Sequence, residues 1–189
     1  MRVLLASASP RRKEILSQIF SEFDIESYNI DENFVGKDPD DTVLQIAKRK
    51  LMAVPDKNRY QVIVACDTLV YLDGKYYGKP SSRDDAKRML TELSGKTHKV
   101  ISGLIVFFEG KIIERAIVSE VTFKKISEGD IKFYLDNFSF YDKAGAYAIQ
   151  DDILVEKLSG SYYNVVGLPK EELEKIMLEI INEGKTDER

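Results

Sequence analysis

Gln61–Ala65 reads QVIVA, and this unbroken apolar run restricts the architecture more than any other stretch. A strand with one face in water alternates apolar and polar residues, so a run without alternation marks a strand covered on both faces. Helices to cover it are legible on either side. Ser9 is placed to cap a helix with Pro10 at its first position and Ile15, Leu16 and Ile19 as its apolar stripe. A second helix is expected from Asp41 to Ala53, with Val43, Leu44, Ile46, Ala47 and Leu51 on its buried side and Pro55 beyond its end. Ser82 with Asp85, and Ser127 with Asp130, open two more at capping-box spacing, the first ending before Gly95. A C-terminal helix is expected from Pro169 to Asn182, followed by a frayed GKTDER tail. Val3–Ala6 reads as a strand. Asp73-Gly74 and Glu109-Gly110 read as hairpin turns, the second joining VISGLIVFF to KIIERAIVSEVTF. Buried strands and hairpin strands interleaved with helices predict an α/β fold with a mixed sheet.

A length of 189 residues fits one domain, or one domain with two lobes. With 43% hydrophobic and 32% charged residues the chain is neither disordered nor collagen-like, and no stretch approaches a membrane span. The apolar run in MRVLLASASP is too short for a secretory signal and reads as a first strand. A single cysteine allows no internal disulfide and no cysteine-based zinc site, which suits a reducing, cytoplasmic setting. The formal net charge of −4 disfavours a nucleic-acid-binding role, although a local cationic cluster could receive a small polyanion.

Neither GxxxxGK[ST] nor GxGxxG occurs, so the two common nucleotide-binding turns are not signalled. His98, the only histidine, stands in THKV without an obvious Ser-His-Asp arrangement and reads as a surface or edge residue. Cys66, preceded by VIVA, reads as a small core residue. Asp67 is expected at the carboxyl end of the buried strand, where open α/β sheets place their ligands. Asp31-Glu32 is a second acidic candidate, read alone as a solvated loop. Arg11 and Arg12 stand in the first turn of a helix, where the macrodipole disfavours cations but backbone N–H groups attract anions. Lys48, Arg49 and Lys50 read as a solvated helix face, yet Lys50 falls nearest the buried side and could reach along it. Lys79, in YYGKPSS, lies between a strand and a helix start. Gathered in space, these cations would suit a triphosphate with a metal ion.

At these residues the chain resembles the Maf family of nucleoside triphosphate pyrophosphatases, nearly end to end. The matching blocks are SASPRRKEIL (7–16), DEN (31–33), IAKRK (46–50), ACDTLV (65–70), GKPSSRDDAKRML (78–90), LSGKTHKVISG (93–103), DKAGAYAIQ (142–150) and GSYYNVVGLP (160–169). The DKAGAYxIQ form resembles the subgroup acting on dTTP and UTP. The resemblance implies an α/β fold with a mixed sheet flanked by helices and two lobes around a central cleft. It further implies a homodimer, a divalent cation (Mg2+ or Mn2+), and release of a nucleoside monophosphate and pyrophosphate from a nucleoside triphosphate. Asp67 matches the catalytic acidic residue, with Glu32 as its partner in catalysis or metal binding. Ser7, Arg11, Arg12, Lys50, Thr68, Lys79 and Gln150 match substrate-binding positions, with Arg11, Thr68 and Gln150 tied to substrate preference. The sequence departs from the family at NFSFYDKAG, where a GEP-type stretch is common. Asp67 is read as either the base that activates water or a metal ligand. A rival reading is a non-catalytic nucleotide-binding regulator of cell division, which would keep the cationic residues but not need Asp67.

Overall fold

The computed structural model describes residues 1–186, with side chains described as far as residue 182. A seven-stranded mixed sheet forms its frame, in the order β2-β1-β3-β5-β6-β7 with β4 on β3. Strand β1 (Val3–Ala6) is buried throughout and pairs in parallel with β2 (Asp24–Glu26) on one side and β3 (Val62–Leu72) on the other. Full burial of β1 and of Val62–Cys66 is what a run without alternation demands.

β3 is longer than the QVIVA run. Leu69, Val70 and Leu72 extend it, and the Asp73-Gly74 turn folds β4 (Lys75–Tyr77) back against it in antiparallel register. Asp67 therefore lies mid-strand, not at a carboxyl end as the sequence suggested. Both turn residues take positive φ, 49° and 81°, the signature of a type I′ hairpin, as do Glu109 and Gly110 at 46° and 86°. The latter pair joins β5 (Thr97–Phe108) to β6 (Lys111–Phe123), and β7 (Val155–Ser159) pairs antiparallel with β6.

The chain divides into two compact units. The first comprises residues 1–67, 102–117 and 167–189; the second comprises 68–101 and 118–166. In the first, α1 (Pro10–Leu16), α2 (Pro39–Met52) and α6 (Lys170–Thr186) accompany β1 and β2. Leu4, Ile63 and Ala65 pack there with Ala47 and Leu51 of α2 and with Ile105 and Phe107. Burying each large aliphatic side chain contributes about 1.5–3 kcal/mol. α2 begins earlier than expected because Asp38 caps it, accepting the Asp41 N–H at 2.7 Å, with Pro39 at the first helical position. Gly103 lets α2 sit close: a Cβ there would lie 2.5 Å from the Val43 carbonyl. α1 ends at Leu16, so Ile19 falls beyond the helix and is half-buried. α6 runs past Asn182, taking in Gly184–Thr186 of the expected frayed tail; Asp187–Arg189 lie outside the described residues.

In the second unit, α3 (Arg83–Leu93) and α4 (Glu128–Asn137) pack against each other over a core that includes Leu90, Leu93, Phe123, Tyr134 and Tyr147; α5 (Tyr162–Val166) belongs to the same unit. The capping box of α4 is complete, Ser127 and Asp130 each accepting the other's N–H at 3.2 and 2.8 Å. In α3 the Ser82 hydroxyl caps as expected, but the Asp85 carboxylate turns to Ser81 instead. His98 is not a surface residue: it is 1% exposed, with Nε2 2.7 Å from the Tyr147 hydroxyl and its ring edge-on to Phe123 and Tyr147. Alternation along β5 explains this, since His98 shares the inward face with Val100 while Thr97 and Lys99 point out. Burial lowers its pKa to about 4, so it is neutral at pH 7. No helix among the described residues is long and apolar enough to cross a membrane.

Candidate active site

Two groups of charged residues are built into the first unit. At the β1-to-α1 junction, Ser9 caps the helix and Ser7 Oγ accepts from the Ser9 N–H at 3.2 Å and from Arg12 Nη1 at 3.1 Å. Arg12 Nε donates to the Gly167 carbonyl at 2.9 Å. The first turn of α1 carries no acidic residue. A carbonyl and a hydroxyl thus help to orient the Arg12 guanidinium at the positive end of the helix. Arg11 occupies the same turn and is half-buried. Gly167 has φ 126°, a conformation other residues rarely adopt, and its carbonyl also receives the Cys66 S–H at 3.4 Å. Cys66 is fully buried, a core residue as its sequence context predicted.

The second group centres on Lys50. Its Nζ lies 2.7 Å from Asp67 Oδ1 and 2.9 Å from Glu32 Oε1, with the Cys66 carbonyl at 3.5 Å. The side chains of Lys50 and Asp67 are only 12% and 14% exposed, whereas that of Glu32 is 49% exposed. Position explains the reach: Lys50 follows Ile46 and Ala47 along the buried side of α2, so its stem runs over apolar surface and its ammonium emerges at β3. The neighbouring cations keep to the solvated side, Arg49 exposed and Lys48 half-buried, but each has a partner. Lys48 pairs with Glu114 at 2.6 Å. Arg49 Nη1 donates to the Asp31 carbonyl at 3.2 Å and stacks its guanidinium 4.3 Å above the Phe34 ring. α2 therefore grips the loop on both sides of Glu32. Sequence reading did not single out Arg49 or Gly167; the only hints were an aromatic just after DEN and a glycine two residues before a proline.

Thr68, Lys79 and Gln150 belong to the second unit. Thr68 follows Asp67 directly, and these two are adjoining half-buried positions in an otherwise mostly buried strand. Lys79 is exposed between β4 and α3. The preceding Gly78 carbonyl accepts the Gly145 N–H at 3.1 Å, which ties the Lys79 loop to the DKAGAYAIQ segment. Gln150 is exposed on a single 3-10 turn, Ile149–Asp151, rather than at a strand end. Positive φ values cluster around it: Gly145 (72°), Ala146 (63°) and Asp152 (51°). In the divergent NFSFYDKAG stretch, Phe140 is buried and Tyr141 exposed, while Lys143 pairs with Asp142 at 2.8 Å.

Asp67 and Glu32 converge on one cationic position, held here by the Lys50 ammonium. Among the described residues no group of three or more His, Cys, Asp or Glu could hold a metal ion. Two carboxylates and no nitrogen or sulfur ligand fit a hard cation that keeps water and takes phosphate oxygens, as Mg2+ does, and do not fit zinc.

The family model described as "Maf-like protein" matches residues 2–180. The chain belongs to the Maf family. Proteins named dTTP/UTP pyrophosphatase are similar to it throughout. That of Pyrococcus furiosus is 44% identical over 171 residues, covering 89% of this chain and 90% of the relative. That of Pyrococcus abyssi is 42% identical over 186 residues, with 96% of each covered. A bacterial relative, from Clostridioides difficile, is 44% identical over 174 residues, covering 89% and 90%. Among solved structures, the Ham1 proteins of Staphylococcus aureus and Coxiella burnetii share the fold of this Maf protein. Their TM-scores are 0.56 and 0.54 at 12% and 14% identity, with 95% of this chain covered in both and 98% and 99% of theirs.

Proposed function

We propose that this Maf protein is a metal-dependent pyrophosphatase that hydrolyses dTTP and UTP to the nucleoside monophosphate and pyrophosphate. The observation that carries the reading is the Lys50–Asp67–Glu32 constellation, a poorly exposed carboxylate held mid-strand by an ammonium that a second carboxylate shares. The names of the relatives support the substrate pair.

Water attacks the α-phosphorus, the bond from that phosphorus to the oxygen bridging to the β-phosphorus breaks, and pyrophosphate leaves. Asp67 either accepts the proton of the attacking water or serves as a metal ligand. Glu32, with Asp67 in its ligand role, would hold Mg2+ or Mn2+, which would supply charge neutralisation on the polyphosphate. Arg11, Arg12 and Lys79 bind phosphate oxygens. Their fixed charges are worth most as charge builds on the leaving pyrophosphate, because positioning and electrostatics dominate phosphoryl transfer. Lys50 holds the Asp67 carboxylate in one orientation, and Ser7 does the same for Arg12. Gln150 reads the base. Its amide offers one acceptor and one donor, matching the N3–H and an adjacent carbonyl of uracil or thymine, whereas cytosine requires the reversed amide. A homodimer belongs to the same reading, and sedimentation of the purified protein tests it.

The experiment is to incubate the protein with dTTP, UTP, CTP, GTP and ATP and Mg2+ and to identify the products. Monophosphate and pyrophosphate from dTTP and UTP are expected. Diphosphate and phosphate would contradict the reaction, and tight binding without turnover would favour a nucleotide-binding regulator.

A further inference from the structure

We propose that the Tyr134 hydroxyl is a positioning group for nucleobase selection, acting by clamping the turn that carries Gln150. The proposal rests on the reading of Gln150 as the base-contacting residue. Tyr134 is fully buried on α4, in a stripe with Ile131 and Leu135, and its ring stacks on Phe138 with centroids 5.0 Å apart and planes 10° from parallel. The hydroxyl is the one polar atom of this side chain, and it is spent on the turn. It donates to Asp151 Oδ2 and accepts the Ala148 N–H at 3.0 Å. These partners stand two residues before and one residue after Gln150, so a single phenol holds both flanks while the Gln150 side chain stays exposed.

An exposed amide discriminates between uracil and cytosine only when its two ends cannot swap, and that requires its backbone to stay put. This backbone would not stay put unaided. Ala146 and Asp152 both sit in the left-handed region, which L-residues adopt at a cost in energy. They keep that conformation only where surrounding contacts over-determine it. Tyr147 is anchored similarly, by its hydroxyl contact with His98 at 2.7 Å. Tyr134 differs in reaching past the buried part of the segment to the turn itself. The support is rigid, since α4 is fixed at its start by the complete Ser127–Asp130 box. Burial and the Asp151 carboxylate both push the phenol pKa up, keeping it protonated as the donor this geometry needs.

The test compares wild type, Tyr134→Phe, Gln150→Ala and the double variant for binding of the non-hydrolysable α,β-imido analogues of UTP and CTP in Mg2+. Gln150→Ala is expected to weaken the UTP analogue about tenfold, the size of one lost hydrogen bond, and the CTP analogue less than about twofold. Tyr134→Phe is expected to weaken the UTP analogue about threefold to tenfold with the CTP analogue nearly unchanged. The double variant should then discriminate no worse than Gln150→Ala, because both act through one amide. Should Tyr134→Phe fold poorly, Asp151→Ala removes one of the two bonds and is expected to give the same selective loss at smaller size. If Gln150→Ala is selective but neither Tyr134→Phe nor Asp151→Ala is, the positioning role is overturned and base reading stands. If Gln150→Ala weakens both analogues equally, base reading itself fails, and the proposal with it.

Discussion

The two units present their candidate functional groups in opposite ways. In the first, the groups hold one another: Lys50 binds Asp67 and Glu32, and Arg12 binds Ser7 and Gly167. In the second, Lys79 and Gln150 are exposed, and what is held is the backbone beneath them, through Gly78–Gly145 and through Tyr134. The difference separates two physical demands. A charged group that must keep its orientation in a partly desolvated place needs its countercharge built in, because an unpaired buried charge is costly. A group that only has to meet a ligand edge can stay solvated if its anchor is rigid. Replacing a residue of the first kind should disturb its neighbours as well as the reaction, whereas replacing one of the second kind should disturb the reaction alone.

The largest expected effect is at Asp67. Asp67→Asn keeps an oxygen for Lys50 to bind but removes the charge, and kcat should fall at least about a thousandfold, some 4 kcal/mol of transition-state stabilisation. Near-normal kcat in the purified variant would remove Asp67 from the chemistry. Asp73→Asn, in a turn where asparagine tolerates the φ of 49°, is the control and should behave as wild type. Next is the metal: exhaustive chelation should abolish turnover and added Mg2+ or Mn2+ restore it, so full activity in chelator would break the assignment of Asp67 and Glu32 as its holders.

Lys50→Met and Lys79→Ala test the contrast between the units directly. Both should lower activity, by about a hundredfold and tenfold, the scale of losing one preorganised charge at phosphoryl transfer. Only Lys50→Met should also lower stability, by about 1–3 kcal/mol, because it leaves Asp67 without its donor. Lys79→Ala should stay within about 0.5 kcal/mol of wild type in denaturant unfolding. Equal destabilisation by the two variants would erase the distinction.

The last effect concerns stability against pH and not the reaction. His98 is buried neutral, with its pKa lowered to about 4, while the unfolded chain takes up that proton near 6.5. The unfolded state therefore binds more protons between those values, so this contribution is complete above pH 6.5 and is lost as pH falls towards 4. Its full size is about 3 kcal/mol. His98→Gln should flatten the slope of unfolding free energy between pH 5 and 6.5; an unchanged slope would mean that His98 protonates without unfolding.

Local signals announced most of this fold. The limits of β1 and β6 follow from apolar runs bounded by turn residues, and both type I′ hairpins follow from Asp-Gly and Glu-Gly. Lys50 was legible because helical spacing placed it near the buried side of α2. What escaped was whatever depends on distant residues. Asp67 looked like a strand end because CDT interrupts the apolar run, yet pairing with β4 carries the strand onward. His98 looked exposed because its neighbours Thr97 and Lys99 are polar, although alternation alone would have turned it inward. Arg49 and Tyr134 act through partners 18 and 14 to 17 residues away, beyond any local pattern. For Glu32 and Gln150 the proposed roles rest on resemblance to a family, whereas Asp67 also stands out by its place after the buried apolar run.

The most direct test of the central claim is hydrolysis of dTTP or UTP in 18O-labelled water, with mass spectrometry of both products. Attack at the α-phosphorus predicts one labelled oxygen in the nucleoside monophosphate and none in pyrophosphate. Label in pyrophosphate with an unlabelled monophosphate, or release of labelled inorganic phosphate with a nucleoside diphosphate, would contradict it.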